Sequence, residues 1–363
     1  MVTTRSGEPR KVVVTGGAGF IGSHVVDELV TRGCEVTVLD ALHPAAHVER
    51  PAYLNEQAEY VWGDVRDAET VERCVRGADA VAHHAAMVGA SIDFDDAVDY
   101  VSNNDGGTAV LLQALHRTGF RGRLVLASSM VVYGEGAYRC PEHGTVRPGP
   151  REVGRLERRL FDPPCPVCGR DLEPEAVTED VSPDPRNVYA ATKVMQEHLC
   201  RAFAREHAEH GVALTILRYH NVYGPRMPRD TPYAGVASIL RSALEAGRPP
   251  EVFEDGRQLR DFVHVRDVAR ATLLALSSQD AMGAFNVGTG DPHTVGELAV
   301  ALAEAFGSEA LRPRVTGRYR PGDVRHVFAS TERIGRSLGF TATVPFPVGV
   351  AELARTPLRA SVS

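Results

Sequence analysis

The stretch KVVVTGGAGFIGSHVVDELVTRG, Lys11 to Gly33, decides the fold class. A short β-rich run passes through a glycine-rich turn into a segment with apolar residues at helical spacing and a closing glycine. Gly16, Gly19 and Gly22 stand at intervals of three in that turn. Glycine there lets the chain tighten and lets backbone N–H groups approach a pyrophosphate at a helix N-terminus. Phe20 and Ile21 complete the turn. The next β-rich run, EVTVLD, ends on Asp40, whose carboxylate can accept hydrogen bonds from an adenosine ribose and repels a 2′-phosphate. No Arg or Lys follows in DALHP, which favours NAD over NADP. Asp64 and Val65 of GDVRD, after the third strand, are expected near the adenine.

Outward from this unit, strands and helices keep alternating. AEYVWGD, ADAVAHHAA, GRLVLASS and VALTILRYHN read as strands; GGTAVLLQALHRTG and the long DPRNVYAATKVMQEHLCRAFAREHAEHG read as helices, the latter with Asp184 as N-cap. Such alternation implies a doubly wound parallel Rossmann sheet of the α/β class. The expected organisation is an NAD-binding domain over 1–221 with an insertion at 137–177, then a smaller substrate lobe over 222–363, from which 262–290 returns to the first domain. In that lobe TVGELAVALAEAFG has Thr294 and Glu297 in capping-box spacing. RTPLRASVS reads as a frayed tail. The chain has 363 residues, a formal net charge of −7 and 43% hydrophobic residues. That balance gives no reason for a nucleic-acid or anionic-membrane partner, and no apolar run is long enough to span a bilayer. The polar start, without a secretory apolar stretch, points to the cytoplasm.

Tyr189 and Lys193 form YAATK, four residues apart on one helix face. A nearby ammonium favours a phenolate, which can take a proton from a sugar hydroxyl while hydride leaves the same carbon. Ser129, at the end of its strand, can orient that hydroxyl. On TGGAGFIG, GDVRD, HHAA, NNDGGT, SSMVVYG, YAATK, RYHNVYGP, RDFVHVRDV, FNVGTG and RPGD, in this order, the chain resembles the extended short-chain dehydrogenase/reductases of the nucleotide-sugar epimerase/dehydratase family. The resemblance implies Ser129, Tyr189 and Lys193 as the catalytic set, and His84, Ala85, Ala86 and Asn104 on the cofactor side. It implies Asn221, Arg260, Arg320 and Arg325 near a substrate diphosphate, and a homodimer through helix pairing.

Dehydratases and decarboxylases of this family carry an acid just before VYG, where this chain has Met130 and Val131. Neither exchanges a proton, which leaves reversible oxidation at one carbon: 4-epimerisation of a nucleotide sugar through a 4-keto intermediate, with a 4-ketoreductase as the alternative. RYHNVYGPRMPRDTPYAG and the cysteine-bearing insert resemble those of family members acting on a dTDP-6-deoxy-L-hexose such as dTDP-L-rhamnose, and the resemblance implies that substrate class, with UDP-glucose and UDP-glucuronate as competitors. TPYAGVASIL is expected under the nucleobase.

The insert shows no clear period and holds three of the six cysteines. CPEH supplies Cys140 and His143, and after 21 further residues CPVC supplies Cys165 and Cys168. Two such knuckles present four ligands to Zn2+ and leave no open position, so the expected role is structural. A Cys165–Cys168 disulfide and free thiols are the alternatives. Cys34, Cys74 and Cys200 read as small packed residues.

Overall fold

The computed structural model describes residues 9–44, 46–89, 94–229, 235–278, 281–307 and 309–359. Seven parallel strands form the central sheet: β1 (Lys11–Thr15), β2 (Glu35–Asp40), β3 (Glu59–Trp62), β4 (Ala80–His83), β5 (Arg123–Ser129), β6 (Ala213–Tyr219) and β7 (Gly283–Val287). Their order is β7-β6-β5-β4-β1-β2-β3. The order reverses between β1 and β4, and in open α/β sheets such a switch point opens a crevice at the carboxyl ends of the strands. Strand register places Ser129 beside Tyr219 at that edge.

Helices cover both faces. On one side, α1 (Phe20–Thr31) packs with α6 (Val265–Ser277) over a core that includes Val14, Val25, Leu29, Val38, Val268 and Leu276. On the other, α2 (Ala68–Val75), α3 (Gly107–Arg117) and α4 (Val188–Glu206) bury Val71, Leu111, Leu115 and Cys200 against Val81 and Leu126. A third core, with Leu240, Leu298, Leu302 and Leu353, joins α5 (Val236–Glu245), α7 (Val295–Phe306) and α8 (Phe346–Arg355) into the smaller lobe. The capping box of Thr294 and Glu297 is present at α7. No helix among the described residues is long and apolar enough to cross a membrane.

Three local readings change. The N-cap of α4 is Asn187, not Asp184: Asn187 is extended and its Oδ1 accepts the N–H of Ala190 at 2.8 Å, whereas the Asp184 carboxylate pairs with Arg186. A π-helical turn, Val101–Gly106, precedes α3. The segment after α8 is not frayed as far as Arg359, since Leu358 is buried and the Arg359 N–H donates to Met227 O at 3.0 Å.

The insert contains a three-stranded antiparallel sheet with Ala137–Cys140 between Gly144–Val146 and Glu173–Glu175, and a short helix, Val153–Glu157. With strands this short, no alternation is long enough to register in the sequence.

Candidate active site and metal centre

A cleft of about 450 Å³ opens at the strand ends. Its walls bring together Gly16, Gly19, Phe20, Ile21, Gly22, Asp40, Asp64, Val65, His84, Ala85, Ala86, Ser129, Tyr189, Lys193 and Asn221. Met130 and Val131 line it beside Ser129.

The glycine turn is shaped for something that needs bare backbone. A Cβ on Gly16, which sits at φ +71°, would lie 2.7 Å from the Ala85 nitrogen; one on Gly22 would lie 2.2 Å from the Gly16 carbonyl oxygen. No side chain caps the N-terminus of α1, so its positive end is left to face a ligand. Asp40 is buried, with Oδ2 accepting the Ala18 N–H at 2.9 Å and Oδ1 that of Leu42 at 2.8 Å. The Asp64 carboxylate is bound by Arg66, which holds it below its ordinary range. Asn104 lies behind the wall rather than on it: it accepts from Met87 N at 2.7 Å and donates to Thr192 Oγ1 at 2.9 Å, tying α4 to the loop after β4. This donor set suits a dinucleotide, with the turn for its pyrophosphate and Asp40 for its ribose.

At the other end, α4 presents Tyr189 and Lys193 to Ser129. Ser129 and Tyr189 both line the cleft, and the Lys193 ammonium donates to Ala127 O at 3.0 Å, 5.9 Å from the centre of the tyrosine ring. Burial pushes the Tyr189 phenol up to about 12, a rise only partly opposed by the Ser129 side chain. Burial pushes the Lys193 ammonium down to about 8, opposed by Cys200, Glu197 and Asp105. Desolvation therefore outweighs the help expected from the lysine, and the protein's own groups leave the phenol neutral at neutral pH.

The arginines separate. Arg260 is spent on backbone, donating to the carbonyls of Leu259, Val324 and Arg325 at 2.8, 2.7 and 2.9 Å. Arg320 is exposed and stacks over Phe253 at 5.1 Å. Arg325 is not brought to the cleft: it is 1% exposed and held by Asp162, Glu254 and Asp255 at 2.8, 2.8 and 2.7 Å. The nearest carboxylates outcompete the cleft for its guanidinium, so the expected diphosphate contact is withdrawn for this residue. The first residues of TPYAGVASIL, 231–234, lie outside the described residues. Met227, Pro228 and Arg359 also line the cleft; the first two belong to RYHNVYGPRMPRDTPYAG, whereas no motif flags Arg359, which a reversal after α8 brings in from the far end of the chain.

In the insert, Cys140, His143, Cys165 and Cys168 converge, with all their donor atoms within 4.8 Å of one another. Cys140 Sγ lies 3.4 Å from His143 Nδ1 and 3.7 Å from Cys168 Sγ, and Cys165 Sγ lies 3.7 Å from His143 Nδ1. Tetrahedral Zn2+ bonds of about 2.3 Å to sulfur and about 2.0 Å to nitrogen give edges of about 3.8 Å for S···S and about 3.6 Å for S···N. The observed edges fit that tetrahedron. Glycines at φ +67° (Gly144) and φ +73° (Gly169) follow the second donor of each pair.

The root of the insert is stitched to residues 323–330. Glu135 Oε1 accepts from Tyr138 Oη at 2.6 Å, Arg325 N at 2.8 Å and His326 N at 3.1 Å. Gly136 N donates to His326 O at 3.0 Å, and Val177 N to Phe328 O at 2.9 Å. Arg151 pairs with Glu254 at 2.8 Å, both buried. The His326 ring and the Arg325 guanidinium hold the Asp162 carboxyl well below the usual carboxylate range.

The NAD dependent epimerase/dehydratase family matches residues 12–153 and 165–288, the gap falling inside the insert. A dTDP-L-rhamnose 4-epimerase of Burkholderia thailandensis is 33% identical over 95% of this chain and 94% of its own. A UDP-glucose 4-epimerase of Azospirillum brasilense is 31% identical over 93% and 89%. Among solved structures, the UDP-glucose 4-epimerase of Thermus thermophilus in complex with NAD is similar at a TM-score of 0.74, with 32% identity over 95% of this chain and 97% of that one.

Proposed function

Because the chain belongs to the NAD-dependent epimerase/dehydratase family, we propose that it inverts C4 of a nucleotide-bound 6-deoxyhexose with a resident NAD. The observation that carries this reading is the meeting of Ser129, Tyr189 and Lys193 with the glycine turn in one cleft, where Met130 and Val131 stand in place of an acid.

Gly16, Gly19, Gly22 and Asp40 would hold the NAD, with Asp64, Val65, His84, Ala85 and Ala86 along it and Asn104 bracing that wall. When bound, NAD+ supplies a hydride acceptor whose reduced form returns the hydride. Ser129 orients the C4 hydroxyl. Tyr189 takes its proton as the carbon is oxidised and gives it back as the ketone is reduced on its other face. With the protein's groups alone the phenol is too weak a base; the positive charge that an oxidised cofactor would bring, added to that of Lys193, would favour the phenolate. Met130 and Val131 cannot protonate a leaving hydroxyl, so elimination lacks its acid. Asn221, which lines the cleft, is the proposed diphosphate contact; Arg260 and Arg320 would join it by giving up the backbone carbonyls and the Phe253 ring that now hold them.

The substrate reading is a dTDP-6-deoxy-L-hexose such as dTDP-L-rhamnose. It is supported by the Burkholderia relative and by apolar Met130 and Val131, which suit a C6 methyl better than a C6 hydroxyl. UDP-glucose is the competing substrate, favoured by the Azospirillum and Thermus relatives. Incubation with dTDP-L-rhamnose and UDP-hexoses, without added cofactor, tests both. The C4 epimer of the deoxyhexose is the expected product; turnover of UDP-hexoses alone would overturn the sugar assignment, and a net redox product formed only with added dinucleotide would overturn epimerisation.

The Cys3His cluster is read as a structural Zn2+ site, closed by its four protein donors. A second copy of the chain is the proposed cover for Phe94, Val98, Val101 and Met195, which are 84, 76, 50 and 48% exposed; sedimentation of the intact protein checks it, with a monomer as the contrary result.

A further inference from the structure

Arg359 borders the cleft at the end away from Lys193, with no carboxylate partner among the described residues. The segment after α8 turns back so that Arg359 bridges to Pro228 and its backbone N–H binds Met227 O at 3.0 Å. This sets the Arg359 side chain on the cleft wall with Asp40, His43, His47 and the glycine turn. Its Nη1 donates to the Tyr53 hydroxyl at 3.4 Å, and Tyr53 donates to the carbonyl of Ala18 at 2.9 Å. Ala18 belongs to the glycine turn, so the guanidinium stands two hydrogen bonds from the phosphate cradle.

The company it keeps is cationic or spent. Arg226 lies over the Tyr53 ring at 4.8 Å, yet it is paired with Asp27 at 2.7 Å. Asp40 turns its oxygens to the N–H groups of Ala18 and Leu42. The charge of Arg359 adds to burial in lowering the His47 ring below its ordinary value. Arg359 Nε is buried with no partner, and no carboxylate pairs with this side chain among the described residues. A guanidinium desolvated in this way gains most from a dianion that can take two N–H groups at once.

We propose that Arg359 binds the pyrophosphate of the NAD in this cleft, an inference that rests on the cofactor reading above. The turn supplies backbone donors from below, and Arg359 supplies a charged fork from the facing segment. The diphosphate of the sugar nucleotide is the less fitting partner, because Ser129 and Tyr189 place the sugar at the opposite end of the cleft. A 2′-phosphate is disfavoured by the Asp40 carboxylate. The consequence is retention: a cofactor clasped from both sides stays in place between two hydride transfers.

Arg359→Met and Arg359→Lys, compared with wild type, test this through binding rather than turnover. The readouts are the NAD that co-purifies with each protein and the affinity of stripped protein for NAD, ADP-ribose and adenosine. Arg359→Met is expected to weaken NAD and ADP-ribose by about tenfold or more and to leave adenosine unchanged, with Arg359→Lys recovering part of the loss. Unchanged NAD affinity in Arg359→Met, or an equal loss for adenosine, would overturn the assignment alone. A wild type that prefers NADP, and loses that preference in Arg359→Met, would overturn it in favour of a 2′-phosphate contact. A wild type that takes up no dinucleotide would overturn the cofactor reading, and this one with it.

Discussion

The cleft and the cysteine insert both begin where β5 ends at Ser129, but different forces hold them. The cleft is backbone geometry on a largely buried sheet: glycine positions that admit no Cβ, and central strands covered by helices on both faces. The insert rests on a small apolar root, Val132, Tyr133, Val177 and Val327, and buries only a few further apolar side chains, Tyr138, Leu156 and Phe161 among them, beside the four clustered donors and the charges paired with Arg325 and Glu254. The contrast teaches where each region is vulnerable. Burial and backbone shape persist across pH and chelators, whereas thiolates, imidazoles and ion pairs are released by a proton or a competing ligand.

If the cleft alone does the chemistry, Tyr189→Phe should cut the epimerisation rate by about 10²–10⁴-fold while bound zinc stays at its wild-type level. A variant that loses metal as well would break the separation. The reverse case is Cys165→Ser with Cys168→Ser. Metal analysis should find no zinc, melting should come several degrees lower, and kcat should fall by far less than in Tyr189→Phe.

Lys193 sharpens the comparison from the stability side. Its folded value of about 8 lies below its ordinary 10.5, so between those limits the unfolded chain binds more protons and stability of the cofactor-free protein rises with pH. Below pH 8 the buried ammonium costs on the order of 3 kcal/mol. Lys193→Met should therefore abolish turnover yet raise the melting temperature of stripped protein at neutral pH, with the gain shrinking as pH climbs towards 10.5. A neutral-pH loss of stability would contradict the desolvation argument.

The smallest effect belongs to the insert's outer contact. Asp162 is 63% exposed on its side chain, against 1% for Arg325, and solvent screens it. Asp162→Asn should raise KM for the sugar nucleotide by less than about threefold and leave kcat unchanged. A large kcat effect would mean that the insert acts on the reacting carbon.

What could be read from the sequence follows the range of the force involved. Gly22 was legible because the Gly16 carbonyl six residues before it leaves no room for a Cβ, and Gly16 because its φ of +71° is a local demand, although the backbone that crowds it comes from Ala85. The four metal donors were legible because each pair is local, although their meeting depends on the fold. Asn187 lay hidden behind Asp184 because both residue types cap helices and only backbone conformation chooses between them. Arg325 and Arg359 were opaque: one is claimed by Asp162, Glu254 and Asp255, the other is delivered to the cleft by a reversal after α8. Neither partner set is near in sequence.

Gly136 and Val177 pair with His326 and Phe328, so the insert's seat is made of residues that leave the ribosome long after the knuckles do. Synthesis proceeds from the N-terminus, and the stretch from Cys140 to Cys168 is complete when roughly half of the chain is still to come. On the proposed zinc reading, the four donors are all in place to take an ion before the residues that seat the insert have been made. On that same reading, a zinc-starved cell would meet this chain's first difficulty during translation, before any sugar reaches the enzyme.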